Sequence, residues 1–278
     1  MSSRFEFLGS TALGQYIPRP SWFHQRDPRA RLLCFISLLI AMIFTPDLWG
    51  LAVGVIAIIA IYLSANLPFS STIKGIIRVL PFILILALIQ VLFNRSAQDT
   101  KILWDIWGLT ISYGSLMGAG ILIIRFVLLV ALLNAFVMSL STSQISAALF
   151  YLFKPLEKIS FPVNDLTMVV QITLRYLPMV AQLAEKTAKA QAARGGDWEH
   201  KGGNPIKQAK QVVPLIVPII VSSLKRAEIM AVAMESRGFN AAHERSSFYA
   251  MKFTFQDAVL LLVSLVTSTS AVIIGKIF

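Results

Sequence analysis

Apolar residues along this chain are gathered into blocks, and the blocks are of two kinds. Five are almost uninterrupted: Leu32–Phe44, Leu48–Ala65, Ile73–Phe93, Ser115–Leu140 and Ala258–Ile277. A helix that crosses a bilayer needs about 20 predominantly apolar residues. Four blocks reach or approach that length, and Leu32–Phe44 is short but extendable at both ends. The other blocks are amphipathic. Ser143–Ile159 places Ile145, Leu149, Leu152, Phe153 and Leu156 at helical i, i+3/i+4 spacing, the pattern of a helix lying at the membrane interface. Asn164–Arg194 and Ile206–Arg237 are apolar early and charged late. At about 1.5 Å per residue, each predicts a helix of roughly 46 Å. Gly195-Gly196 stops the first, Gly202-Gly203-Asn204-Pro205 opens the second and Gly238 stops it. Pro178, Pro214 and Pro218 each remove a helical hydrogen bond and are expected to bend these helices. Between the third and fourth blocks the alternation WDIWGLTIS predicts a β-hairpin.

Composition turns this pattern into a class. The chain of 278 residues is 56% hydrophobic and 14% charged, with a mean hydropathy of +0.71. A soluble domain carries roughly a quarter charged residues, so the fold class is an all-α polytopic membrane protein. It has about five transmembrane helices plus three cytoplasmic or interfacial helices, two of them long and crossed. Net charge is +11. Of the 25 Lys and Arg, 14 lie between Ser141 and Lys252, and Arg4, Arg19, Arg26, Arg29 and Arg31 precede the first apolar block. The excess follows the positive-inside rule, which accounts for the basic balance without nucleic acid. It predicts a cytoplasmic N-terminus, an external hairpin over Asn94–Tyr113 and an external C-terminus; Lys276 is a small contrary signal. The expected organisation is a four-span domain over residues 1–140, a cytoplasmic helical module over 141–252 and a last span over 253–278. The N-terminus does not read as a removable signal peptide.

Candidate residues are few. Arg194 and Arg237 close the two long helices in the contexts Ala193-Arg194-Gly195 and Ser236-Arg237-Gly238. Ordinary helix termination accounts for each, since Gly permits the left-handed turn and a cation complements the helix dipole. The other reading is recognition, with an exposed guanidinium forking onto a partner's carboxylate or carbonyls. Ala181, Ala184, Ala188 and Ala192 share one face of the first helix, and Ser223, Ala227 and Ala231 one face of the second. Small residues at this spacing let backbones approach closely, although alanine is also simply a good helix former. Met168, Met179, Met230 and Met234 suit either an adaptable contact surface or plain packing. Arg125 lies inside the fourth block and must face protein or water, with carbonyls of a neighbouring helix as the structural reading and its partner open. Arg175 and Tyr176 suit an anchor at headgroup level. Cys34 is the one cysteine, and His24, His200 and His243 lack metal-ligand spacing. No Walker A sequence, paired-acid motif or Ser-His-Asp set is present, and no acid lies in a predicted membrane core, Asp257 sitting at its edge.

Several segments together resemble a known family. They are Arg26-Asp27-Pro28-Arg29-Ala30-Arg31, Ser141-Thr142-Ser143, Lys154-Pro155-Leu156 and Leu174-Arg175-Tyr176-Leu177-Pro178, and above all AQAARGGD and AMESRGF. In order and separation they resemble the transmembrane T component of energy-coupling factor (ECF) transporters, the EcfT/CbiQ family, over most of the chain. The family's second signature usually carries Ala where this chain has Ser236. The resemblance implies a non-catalytic, multi-pass subunit of a bacterial or archaeal cytoplasmic membrane. Two cytoplasmic ABC-type ATPases, holding ATP and Mg themselves, would receive the Arg194 and Arg237 tips. A membrane S component that binds a vitamin or metal ion would lie against the long coupling helices and be tilted by them. No cofactor is expected on this chain.

Two other classes compete. A membrane enzyme acting on lipids or isoprenoids needs clustered acids or a nucleophile, and Glu185, Asp197, Glu199 and Glu235 lack metal-ligand spacing. A channel or secondary carrier is disfavoured by the lack of intramembrane acids.

Overall fold

A computed structural model of the chain describes residues 20–93, 102–106, 109–155, 163–194, 205–239 and 253–277. The helices in chain order are α1 (Pro28–Phe44), α2 (Leu48–Ala65), α3 (Phe69–Phe93), α4 (Tyr113–Ser139), α5 (Thr142–Phe153), α6 (Val163–Ala193), α7 (Pro205–Ser236) and α8 (Phe255–Ile277). Between α3 and α4, β1 (Ile102–Ile106) pairs antiparallel with β2 (Leu109–Ser112). Ile106 stands opposite Leu109, and an irregularity falls between Ile102 and Trp104. The predicted hairpin is therefore present.

The chain divides into two compact units. One, from residues 14–161 and 251–278, contains α1 to α5, the hairpin and α8. α1 begins where Asp27 accepts the Arg29 N–H at 2.9 Å and Pro28 fills a first-turn position whose N–H would be unpaired anyway. It packs against α8, α5 and α4, while α2 packs against α8 and α4, and α3 against α4. The core joins Phe35, Leu38 and Met42 of α1 to Leu51, Ile58 and Ile61 of α2 and to Leu128, Leu132 and Met138 of α4. Phe35 meets Phe23 and Phe136 edge to face, with ring centroids 5.9 and 5.3 Å away. Tyr62 ties three helices, its hydroxyl donating to the Ala131 carbonyl at 2.9 Å and lying 2.7 Å from the Thr72 hydroxyl.

α1 and α8 run side by side in the same direction. At their starts the buried Asp257 accepts the Asp27 N–H at 3.1 Å with one oxygen and the Thr254 N–H at 2.8 Å with the other. At their far ends a β-carbon on Gly275 would crowd Pro46 and Thr45, and one on Gly50 would strike the Thr45 methyl and the Ala271 carbonyl. This arrangement decides a question that length leaves open. The helices long and apolar enough to cross a membrane are α2, α3, α4, α8 and the Asp165–Ala193 stretch of α6. With 17 residues, α1 spans about 25 Å, short of a hydrocarbon core of roughly 30 Å. Flanked by α8 over its whole length, α1 nevertheless packs as a member of the membrane unit.

The second unit contains α6 and α7, which pack against each other and run on through Pro178, Pro214 and Pro218. Among their described residues, Val163 and Ala188 are the buried ones. The division falls at residue 162 rather than 141, because α5 packs on α1 and belongs with the membrane helices.

Candidate functional site

The α7 tip is built by its backbone. Gly238 takes φ 70, the left-handed conformation that glycine adopts without strain. Its N–H reaches the Glu235 carbonyl at 2.9 Å, and the Phe239 N–H reaches back to Met234 at 3.0 Å. These two bonds form a Schellman motif, which closes carbonyls that a helix end otherwise leaves open. The Ser236 hydroxyl donates to the Ala233 carbonyl at 3.0 Å, so its polar atom is satisfied within the helix. Arg237 is left exposed at the apex of this turn. At the α6 tip the Arg194 N–H shares the Ala190 and Gln191 carbonyls at 3.3 and 3.2 Å, with Ala193 and Arg194 exposed. Gly195 lies outside the described residues.

The two small-residue faces fare differently. On α6, Ala188 is 1% exposed and Ala181, Ala184 and Ala192 are half-buried. On α7, Ser223 is half-buried while Ala227 and Ala231 are exposed. All three α7 residues line a cavity of about 670 Å³ between the helices. Met179, Met230 and Met234 line it as well, whereas Met168 does not. Ala188 is therefore the buried point of the α6 face, and the α7 residues open onto a groove. Tyr176 lines that groove and Arg175 is exposed beside it.

Arg125, in the membrane unit, donates through a terminal guanidinium nitrogen to the Thr45 carbonyl at the end of α1, 2.6 Å away. Arg31 makes the mirror contact from the other end: it is 1% exposed and donates to the Ser139 carbonyl at the end of α4 at 2.7 Å. It also lies 3.4 Å from Gln144 Oε1. Each arginine thus holds the C-terminus of the antiparallel partner helix, where carbonyls are open and the helix dipole is negative. Sequence reasoning left the partner of Arg125 open, with carbonyls of a neighbouring helix as one reading, and passed over Arg31 as one more basic residue at the membrane entry. The signal for its partner was legible: Ser141 and Gln144 form a capping box that starts α5 and presents the Gln144 side chain. His24 is half-buried beside this clamp, its hydroxyl partner Ser21 at 2.7 Å. Burial, and then the nearby Arg31 charge, lower its pKa from the ordinary 6.5.

Long apolar helices, arginines spent on helix ends and a unit with almost no buried core define a multi-pass helical membrane protein. The CbiQ family, described as "Cobalt transport protein", matches residues 19–248, and the chain belongs to this family. Among its relatives is the energy-coupling factor transporter transmembrane protein EcfT of Listeria innocua, 32% identical, the match covering 90% of this chain and 92% of that protein. The EcfT of Lacticaseibacillus paracasei is 34% identical over 89% of this chain and 92% of its own length. For the Bacillus subtilis EcfT the figures are 31%, 91% and 94%. The chain is a multi-pass protein of bacterial cell membranes, of the transporter transmembrane class.

Proposed function

We propose that this chain is the non-catalytic energy-coupling subunit of an ECF-type importer. Two cytoplasmic ABC-type ATPases, carrying ATP and Mg, engage the Ala193-Arg194-Gly195 and Ser236-Arg237-Gly238 tips. Their closure moves α6 and α7, which tilt a membrane S component that carries a vitamin or metal ion. The observation that carries this reading is the α7 apex. A backbone motif bonds the N–H groups of Arg237, Gly238 and Phe239 within the turn and still leaves Arg237 exposed, which suits a partner's carboxylate or carbonyls. Two further features support it. α6 and α7 bury almost nothing of their own, as expected of helices whose contacts lie on other proteins or lipid. The relatives carry the name of a transporter transmembrane protein.

The test is copurification of the tagged chain with candidate ABC ATPases, wild type against the Arg194→Glu, Arg237→Glu double variant. Retention of ATPases by wild type, and their loss from a variant of unchanged thermal stability, is the expected result. Equal retention by both sinks the assignment of the tips. Turnover of a lipid or isoprenoid by the isolated chain would replace the reading with an enzymatic one.

A further inference from the structure

The end of the membrane unit at which α1, α3, α5 and α8 begin separates its charges in an unusual way. Its described acids, Asp27 and Asp257, are buried and consumed as helix caps. Of its described cations, Arg31 is buried and Arg29 pairs with Asp27, whereas Arg26 and Lys154 reach the surface. The Arg26 guanidinium lies 4.6 Å from the centre of the exposed Trp22 ring, and its Nε donates to the Trp22 carbonyl at 3.2 Å. Arg29 lies 3.7 Å from the centre of the Tyr151 ring on α5, with its Nε 3.8 Å from Asp27. Lys154, one turn beyond Tyr151, is exposed.

Two guanidinium groups thus lie against aromatic faces, which orient them; Arg29 is also paired with Asp27, so Arg26 and Lys154 supply most of the outward charge. Beside them α5 presents Leu149 and Phe153 outward, four residues apart on one helical face, 37% and 45% exposed. Its other side is seated on α1, with Ser146 and Ala148 buried. A helix docked by one face and apolar on another lies along the boundary of acyl chains and headgroups. Tryptophan and tyrosine favour the same depth, and the positive-inside rule assigns this end to the cytoplasmic leaflet, where anionic lipids attract clustered cations.

We propose that Trp22, Arg26, Arg29, Tyr151 and Lys154 form a binding site for the phosphate headgroup of an anionic phospholipid in the inner leaflet. Leu149 and Phe153 lie among its acyl chains. The lipid bridges the start of α1 to the end of α5 and thereby holds α5 on the membrane plane. A soluble phosphate ion meets the same cations but gains nothing from the apolar face, so the site selects lipid.

Trp22 itself reports occupancy. The full chain is placed in nanodiscs of phosphatidylcholine or of phosphatidylcholine with phosphatidylglycerol, one lipid at a time carrying brominated acyl chains. The Trp22 component is obtained by subtracting the emission of a Trp22→Phe variant. Brominated phosphatidylglycerol is expected to quench Trp22 at an at least fivefold lower mole fraction than brominated phosphatidylcholine. Arg26→Gln, at a half-exposed position, should reduce that preference about fivefold, and Lys154→Gln by a similar factor, as about 1 kcal/mol per surface cation implies. Lys225→Gln with Arg226→Gln, on α7, should leave it unchanged. Equal quenching by the two lipids in wild type overturns the site, and so does a preference that survives Arg26→Gln. Loss of the preference on adding soluble glycerol phosphate would show that a free anion, and not lipid, is the occupant.

Discussion

The membrane unit is made from shorter helices than the α6–α7 pair, yet among the described residues it is the one with an extended core. α1, α2 and α4 bury Phe35, Leu51, Tyr62, Leu132 and Met138 almost completely. α6 and α7, with 31 and 32 residues, bury Val163 and Ala188 among their described positions. The first unit also engages its buried charged residues with backbone groups, through Arg31, Arg125, Asp27 and Asp257. The second leaves Arg194 and Arg237 at exposed ends. A helix pair whose own contacts are few is easily displaced, because little packing must be broken to move it. A packed bundle has discrete arrangements and resists deformation. The proposed transducer requires a fixed frame and a movable element, and this difference in packing suits that division of labour.

Substitutions that disturb only one side sharpen the contrast. The largest effect is expected from Arg31→Ala, which strips the Ser139 carbonyl and Gln144 of a buried charged donor. Losing such a group destabilises by about 3 kcal/mol. The apparent Tm in detergent should fall clearly, and an unchanged Tm would remove Arg31 from the frame. Gly50→Ala follows, at about 1–3 kcal/mol, because the added methyl meets the Ala271 backbone, which cannot swing aside. Thermal unfolding checks this too.

On the other side, Gly238→Ala forces an L side chain into the left-handed region at a cost of about 1 kcal/mol. It should speed hydrogen exchange at Arg237–Phe239 and weaken ATPase retention without moving the Tm of the frame. A fall in Tm equal to that of Gly50→Ala would mean the two units are not independent.

The smallest effect concerns pH. Because the folded His24 has a pKa below the ordinary 6.5, the folded state binds fewer protons than the unfolded state as pH falls past that value. Stability is therefore complete above about pH 6.5 and is lost progressively below it. His24→Gln should flatten the dependence of Tm on pH over that range. A slope that persists would place the titrating group elsewhere.

Much of the frame was legible because lipid imposes a simple rule. Backbone groups must be satisfied internally, so apolar blocks of sufficient length become helices, and four of the five appear with nearly their predicted bounds. The hairpin was equally readable, since strict alternation allows few other structures. The limits of α7 followed from local chemistry, with Pro205 at its start and Gly238 just past its end. Less legible were the roles of similar residues. Arg31 and Arg29 stand two positions apart in one basic run, yet the first is buried on a helix end and the second lies across Tyr151. The alanine faces looked equivalent on α6 and α7, but the first carries the buried Ala188 and the second opens onto a groove.

Local and periodic information in the sequence by itself determined the membrane class, the helices, the hairpin and the two arginine-bearing tips. Those features depend on residues a few positions apart, or on the exclusion of water by a bilayer. Tertiary structure alone decided that α1 runs beside α8, that α5 packs with the membrane helices, and that Asp27 meets Asp257 across 230 residues of chain. These are pairings between helix ends distant in sequence, and which open carbonyl a given arginine reaches depends on how helices pack, which no local pattern encodes.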